Sequence, residues 1–265
     1  MRDLLIRCSS IGKLMTEPKT LKEGPLSVGA KTFVRELAAQ EIFGVEFEFS
    51  SKETEKGIEV EPDGIALLNR VRGLSLVKNT ERRNNGWWTG EADLFHAAAR
   101  SGHDLKCPWS IRTFPITVAD CEDKIYEWQM RGYMPLWDAD SWEVNYALVN
   151  TPERLIGFDP LQLHVVDHIP EHLRLTTWVV KRDAAKEAAM VEKVRAAREY
   201  FAEVISEFDR SHPSTFADVA ALVRAAEPAP WDGPTTLPVA PPADTTPPKS
   251  PAAYTALDAI PESLF

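Results

Sequence analysis

Polar and apolar positions over the first 227 residues follow two periods, one near 3.6 and one of 2, so helices and strands are interleaved. Ile11, Leu14 and Met15 share one face of a short helix that Ser9 or Ser10 can cap. Phe33, Leu37 and Ile42 mark a helix over 27–43, and Gly44 stops it. A third helix is predicted over 54–71, with Pro62 an obstacle near its start. Strand-like runs follow at 74–78, 87–95 and 103–107, and the stretch 96–102, ending in Gly102, suits a hairpin connection. Asp120 can cap a helix reaching 134. The run SWEVNYALVN predicts a strand at 141–150, and another is expected over 161–168. A long helix over 183–208 is rich in Ala, Glu, Lys and Arg, and a short one spans 214–226. Strands interleaved with helices predict an α/β domain over residues 1–227.

Composition changes this picture mainly at the far end. Ten of the 20 prolines fall in 228–265, where missing backbone donors predict a disordered, flexible tail. Its last residues turn apolar again, ending Ile260-Pro-Glu-Ser-Leu264-Phe265. The chain of 265 residues is 44% hydrophobic and 26% charged, which excludes a largely disordered protein. No apolar run is long enough for a membrane-spanning helix. The opening MRDLLIRCSS is too short in apolar residues for a signal-peptide core, so a cytoplasmic protein is expected. Cys8, Cys107 and Cys121 are far apart and form no CxxC, which argues against a disulfide framework, a zinc knuckle or an iron–sulfur cluster. The net charge of −10 argues against nonspecific coating of nucleic acid. Residues 1–35 run the other way, with seven Lys or Arg against three acids, which by itself describes a solvated basic face.

Chemistry concentrates in Trp87-Trp-Thr-Gly-Glu-Ala-Asp93 and in His103-Asp104-Leu-Lys106-Cys-Pro108. Alternation puts Asp104 and Lys106 on one face of a strand and Leu105 on the other. A hairpin would set Asp93 beside Asp104. Two such carboxylates repel unless a cation neutralises them, and hard oxygen ligands suit Mg²⁺ or Mn²⁺. A neighbouring ammonium can orient a water or stabilise charge on a phosphoryl group. Taken alone, Asp-x-Lys is better explained by a solvated strand face. Glu59 and Glu61 supply a third carboxylate on the upstream helix. Trp87 and Trp88 can stack on unpaired bases, although alternation buries one of any adjacent pair.

These segments, taken in order, resemble a known family. CSSIGKLM with Ser10, Gly57-Ile-Glu-Val-Glu61, Gly90-Glu-Ala-Asp93, Asp104-Leu-Lys106-Cys-Pro108 and Tyr126-Glu-Trp-Gln129-Met-Arg-Gly-Tyr133 follow the pattern of the phage lambda exonuclease and YqaJ-like viral recombinase nucleases, within the PD-(D/E)xK superfamily. The likeness runs from residue 7 to 155. It implies a restriction-endonuclease-like core, a central mixed β-sheet flanked by helices. It implies Asp93, Asp104, Glu61 and the Leu105 carbonyl as ligands of two Mg²⁺ or Mn²⁺ ions, Lys106 as the group that positions the attacking water, and Gln129 as a further catalytic contact. Ser10, with Arg7 and Lys13 nearby, would hold DNA phosphate, and Tyr126 would lie on the face of Gln129.

The resemblance further implies 5′-to-3′ digestion of double-stranded DNA ends, a homotrimer with DNA in its channel, a single-strand annealing protein as partner, and a phage or prophage gene in a bacterial host. The sequence departs from the family at Glu91, where a small polar residue is usual, at Asp3 in place of a phosphate-binding arginine, and at Arg131 in place of a second glutamine. Leu264 and Phe265 resemble the anchor of peptides that bind sliding clamps or single-strand-binding proteins. Two alternatives stand beside this reading: an endonuclease or other nuclease of the superfamily, and a non-catalytic scaffold for recombination or DNA ends.

Overall fold

Helix-capping residues set the first boundaries in the computed structural model, which describes residues 4–47 and 50–213. Strand β1 (Ile6–Arg7) leads directly into α1 (Cys8–Leu14). Ser9 and Ser10 do not cap that helix: its cap position is Arg7, and both serines lie inside the first turn. Helix α2 (Val28–Phe43) is closed by chemistry at both ends. Ser27 Oγ accepts from the Ala30 N–H, and Gly44 takes the left-handed conformation. Helix α3 (Lys52–Arg72) is capped by Ser51, starts earlier than predicted, and runs through the exposed Pro62.

Strand β2 (Arg82–Asn84) follows a stretch, 74–81, that has no regular structure, so the strand expected at 74–78 does not form. The expected strand at 87–95 breaks at Ala92 and Asp93 into β3 (Trp88–Glu91) and β4 (Leu94–His96), which serve different sheets. Next come β5 (Ser101–Lys106), α4 (Lys124–Trp137), β6 (Ser141–Ala147), the short α5 (Glu153–Ile156), β7 (Leu175–Lys181) and α6 (Ala184–Ser211). Asp123, not Asp120, caps α4, its Oδ1 accepting from the Ile125 and Tyr126 N–H groups. The strand expected over 161–168 is absent, and Leu161–Leu163 make a single helical turn instead. The Pro-rich tail, the helix expected over 214–226, the domain boundary near 227, and Leu264 and Phe265 lie outside the described residues.

The fold is mixed α/β, with helices packed on mixed sheets. A three-stranded sheet has the order β1-β3-β2, and a four-stranded sheet the order β4-β5-β6-β7. In the larger sheet β5 pairs antiparallel with β4, parallel with β6 through the α4 crossover, and β6 pairs antiparallel with β7. Trp142 anchors the core beneath this sheet. It is fully buried among Phe95, Tyr133 and Trp137, with ring centroids 5.0–6.4 Å away. Gly102, its partner across β5 and β6, makes room for it, because a Cβ there would overlap the indole. Of the adjacent tryptophans, Trp88 is buried and donates from Nε1 to the Gly132 carbonyl at 2.9 Å. Trp87 lies half-buried under the guanidinium groups of Arg195 and Arg198.

Candidate active site

Register brings the two central carboxylates together. In the β4–β5 hairpin Leu94 pairs with His103, so one step further Asp93 faces Asp104. The Asp93 carboxylate is fixed by the Leu105 backbone N–H, which donates to Oδ2 at 2.8 Å. Asp104 and Lys106 share a strand face, and Lys106 Nζ lies 2.7 Å from Asp104 Oδ2. Leu105 points the other way and packs with Val60 and Leu67 of α3. Gly64 allows this close packing: a Cβ there would lie 2.7 Å from Leu105 Cδ2 and 2.9 Å from Cys107 Sγ. One turn before Gly64, Glu61 comes to the same rim.

A cavity of about 640 Å³ results, lined among others by Glu61, Asp93, Asp104, Lys106, Tyr126 and Gln129. Gln129 Nε2 donates to Asp104 Oδ1 at 3.2 Å and to the Tyr133 hydroxyl at 3.1 Å. The Tyr126 ring carries the Lys106 ammonium 4.5 Å from its centroid. Glu61 lines the cavity, whereas Glu59 is exposed and ion-paired with Arg154. Glu91 turns to Arg82, with 3.1 Å between Oε2 and Nη2.

Burial dominates the electrostatics. Asp104 is 2% exposed, and burial pushes its carboxyl up to about 6, against the pull of the Lys106 ammonium. The charge of Asp93 adds to the rise. Burial works to lower Lys106, but the Asp104 carboxylate, with Tyr126 and Asp93 beside it, outweighs it and holds the ammonium above its ordinary value. No aligned hydrogen bond reaches Asp104 Oδ2, so this buried oxygen has the ion pair alone.

Two lysines that the sequence reading did not single out support the site. Lys78 enters the cavity and pairs with both Glu61 and Asp93, the latter at 3.2 Å. No periodic pattern marks it, since its segment is irregular. Lys56 is fully buried behind the cavity and donates to the carbonyls of Pro108, Trp109 and Val149. Its signal was readable: it continues the buried stripe of Val60, Gly64 and Leu67 on α3.

Arg7, Ser10 and Lys13 are not brought to the carboxylates. They line a separate concavity of about 410 Å³ with Phe33, Gln40 and Glu46. There Arg7 pairs with Glu46 at 2.8 Å, and Lys13 sits over the Phe33 ring.

No protein-family model and no curated protein matches the chain. Solved structures do. The phage-related exonuclease from Haemophilus somnus 129PT matches with a TM-score of 0.73 and 37% identity, over 78% of this chain and 97% of that one. The chain belongs to the phage-related, lambda-exonuclease-like family. The alkaline exonuclease LHK-Exo from Laribacter hongkongensis shares the fold, with a TM-score of 0.59 and 17% identity over 82% of this chain and 94% of that one. Its complex with dAMP matches at 0.56 and 18%, over the same shares. Among the described residues, no helix is long and apolar enough to cross a membrane.

Proposed function

We propose that the chain is a metal-dependent exonuclease that digests double-stranded DNA from its ends, 5′ to 3′, and leaves 3′ single strands for phage-type homologous recombination. One observation carries the reading. Glu61, Asp93, Asp104, Lys106 and Gln129 meet in one cavity of a chain 37% identical to a phage-related exonuclease.

The residues present fit Mg²⁺ or Mn²⁺ by donor chemistry. Three carboxylates converge, and one of their oxygens is buried without a hydrogen bond. Among the described residues no ready-made group of three metal-binding side chains exists, and the Lys78 and Lys106 ammonium groups pair with Asp93 and Asp104. Asp93, Asp104, Glu61 and the Leu105 carbonyl would hold the ions. When bound, they would polarise the scissile phosphate and acidify a water.

The remaining work falls to the chain itself. Lys106, steadied by Asp104 and the Tyr126 ring, offers a positive charge to the attacking oxygen or the phosphate. Gln129 keeps Asp104 in orientation through its amide, and the Leu105 N–H does the same for Asp93. Digestion of end-labelled linear duplex with Mg²⁺ tests the reading. Asp104→Ala and Lys106→Ala should each lose on the order of a hundredfold or more in rate. Undiminished activity in both overturns the proposal. Cleavage of circular duplex as fast as linear duplex would make the enzyme an endonuclease.

A homotrimer, an annealing partner, phosphate contacts from Ser10, Arg7 and Lys13, and a tail contact through Leu264 and Phe265 to a clamp or single-strand-binding protein belong to the same proposal. Light scattering, Ser10→Ala binding assays, and pull-down with and without the last nine residues test them; a monomer, unchanged DNA binding or unchanged recovery removes each in turn.

A further inference from the structure

Lys78 sits on an irregular stretch whose backbone is nonetheless pinned on both sides. Asn69 of α3 brackets Leu76, donating from Nδ2 to its carbonyl at 2.8 Å and accepting from its N–H at 2.9 Å. On the other side, the Asn79 N–H donates to the Asp93 carbonyl at 2.7 Å, and Asn79 Nδ2 to the Ala92 carbonyl at 3.0 Å. These bonds tie the stretch to the helix that carries Glu61 and to the link that carries Asp93. Lys78 stands between the two clamps, and its Nζ meets Glu61 Oε1 and Asp93 Oδ1. Its side chain is 38% exposed, so water reaches the ammonium. The flexible four-carbon stem can swing out while the pinned backbone stays.

We propose that Lys78 is a built-in cation that holds Glu61 and Asp93 together before a divalent ion arrives, and competes with that ion for them. The inference rests on the metal-dependent reading above. Glu61 and Asp93 would repel across the cavity without a counter-charge. The ammonium supplies that charge, so the metal-free cavity keeps its shape. A divalent ion that uses the same oxygens must displace it, which makes loading an exchange and lowers the apparent affinity. Lys106 differs, because its partner is Asp104 and its place is on the strand itself.

The test is calorimetric titration of the full, chelator-stripped chain with MgCl₂ and MnCl₂ in the absence of DNA, together with melting of the metal-free and metal-saturated forms. Lys78→Met should bind the ions about tenfold more tightly than the parent, the scale of two partly exposed ion pairs lost together. Its metal-free form should melt lower than the parent, and its metal-saturated form level with it. Lys78→Arg, which keeps the charge, should stay near the parent in both. Equal affinity and equal metal-free melting in the parent and Lys78→Met overturn the role of Lys78 and leave the metal reading standing. Weaker binding by Lys78→Met overturns it too, since Lys78 would then support the ions. Absence of binding by every form overturns the metal reading, and this inference with it. Lys78→Gln gives the same comparison should Lys78→Met not fold.

Discussion

Replacing Lys56 by methionine strikes the scaffold of the cavity without changing a side chain that lines it. The Lys56 ammonium is fully buried and donates to the carbonyls of Pro108, Trp109 and Val149 at 2.5, 3.1 and 3.2 Å. It thereby ties α3 to the loop after β5 and to the segment just past β6. Methionine fills similar space and donates nothing. Each orphaned buried carbonyl costs about 1–3 kcal/mol. Relief of the ammonium's own desolvation offsets part of that, which leaves a net loss of about 3–5 kcal/mol, the scale for breaking a buried charged contact. At roughly 2–4 °C per kcal/mol for a domain of this size, melting should fall by about 10 °C. Pro108 and Trp109 directly follow Lys106 and Cys107 in the chain, so the cleavage rate should fall as well, even far below the new melting point. Burial also pushes the Lys56 ammonium down to about 8 from its ordinary 10.5. Between those values the unfolded chain binds more protons than the folded one, so the stability this group contributes rises with pH through that window. The parent's advantage over Lys56→Met should therefore widen from pH 8 towards 10 in urea titrations. A variant that melts within about 2 °C of the parent refutes the hydrogen-bond reasoning. A gap that stays flat with pH refutes the lowered ammonium alone.

Gly102→Ala should destabilise by about 3 kcal/mol or more, read by chemical denaturation, because the new methyl meets an indole locked among three other rings. Gly64→Ala should be milder in stability but should lower the cleavage rate, since it pushes α3 from β5 and moves Glu61 off the rim; unchanged activity would count against the close approach as the device that delivers Glu61. Arg131→Gln places there the glutamine that the family resemblance implies, yet it should cost about 1–3 kcal/mol and leave cleavage largely intact. Here Arg131 binds Glu127 through two nitrogens and the Lys181 carbonyl through a third, away from Asp104.

Local chemistry made some of this readable in advance. Ser27 and Gly44 bound α2 because capping and left-handed backbone are decided within a few residues. The pairing of Asp93 with Asp104 was readable for a similar reason: a short hairpin fixes its own register. The failures occur where a partner is distant. LQLHVVDH alternates like a strand, yet the place beside β6 is taken by β7, which pairs with it along seven residues. Residues 74–78 find no strand either, and Leu76 bonds to the Asn69 side chain instead. The run alternates from 88 to 94 without interruption, but β3 and β4 belong to different sheets, and pattern alone carries no sign of that break.

The two supporting lysines separate what a pattern can and cannot carry. Lys56 breaks the apolar stripe of its own helix, so the conflict between charge and position is visible in the sequence and demands buried acceptors. Those acceptors come from residues 52, 53 and 93 positions away, which no local window can name. Lys78 creates no such conflict, because a lysine on an irregular stretch is ordinary. Its place depends on Asn69 and Asn79 binding backbone of other segments, and so on the whole sheet being formed. A charge set among acids by long-range clamps is therefore the feature of such a site that a single sequence hides best, and the one where structure adds most to the chemistry.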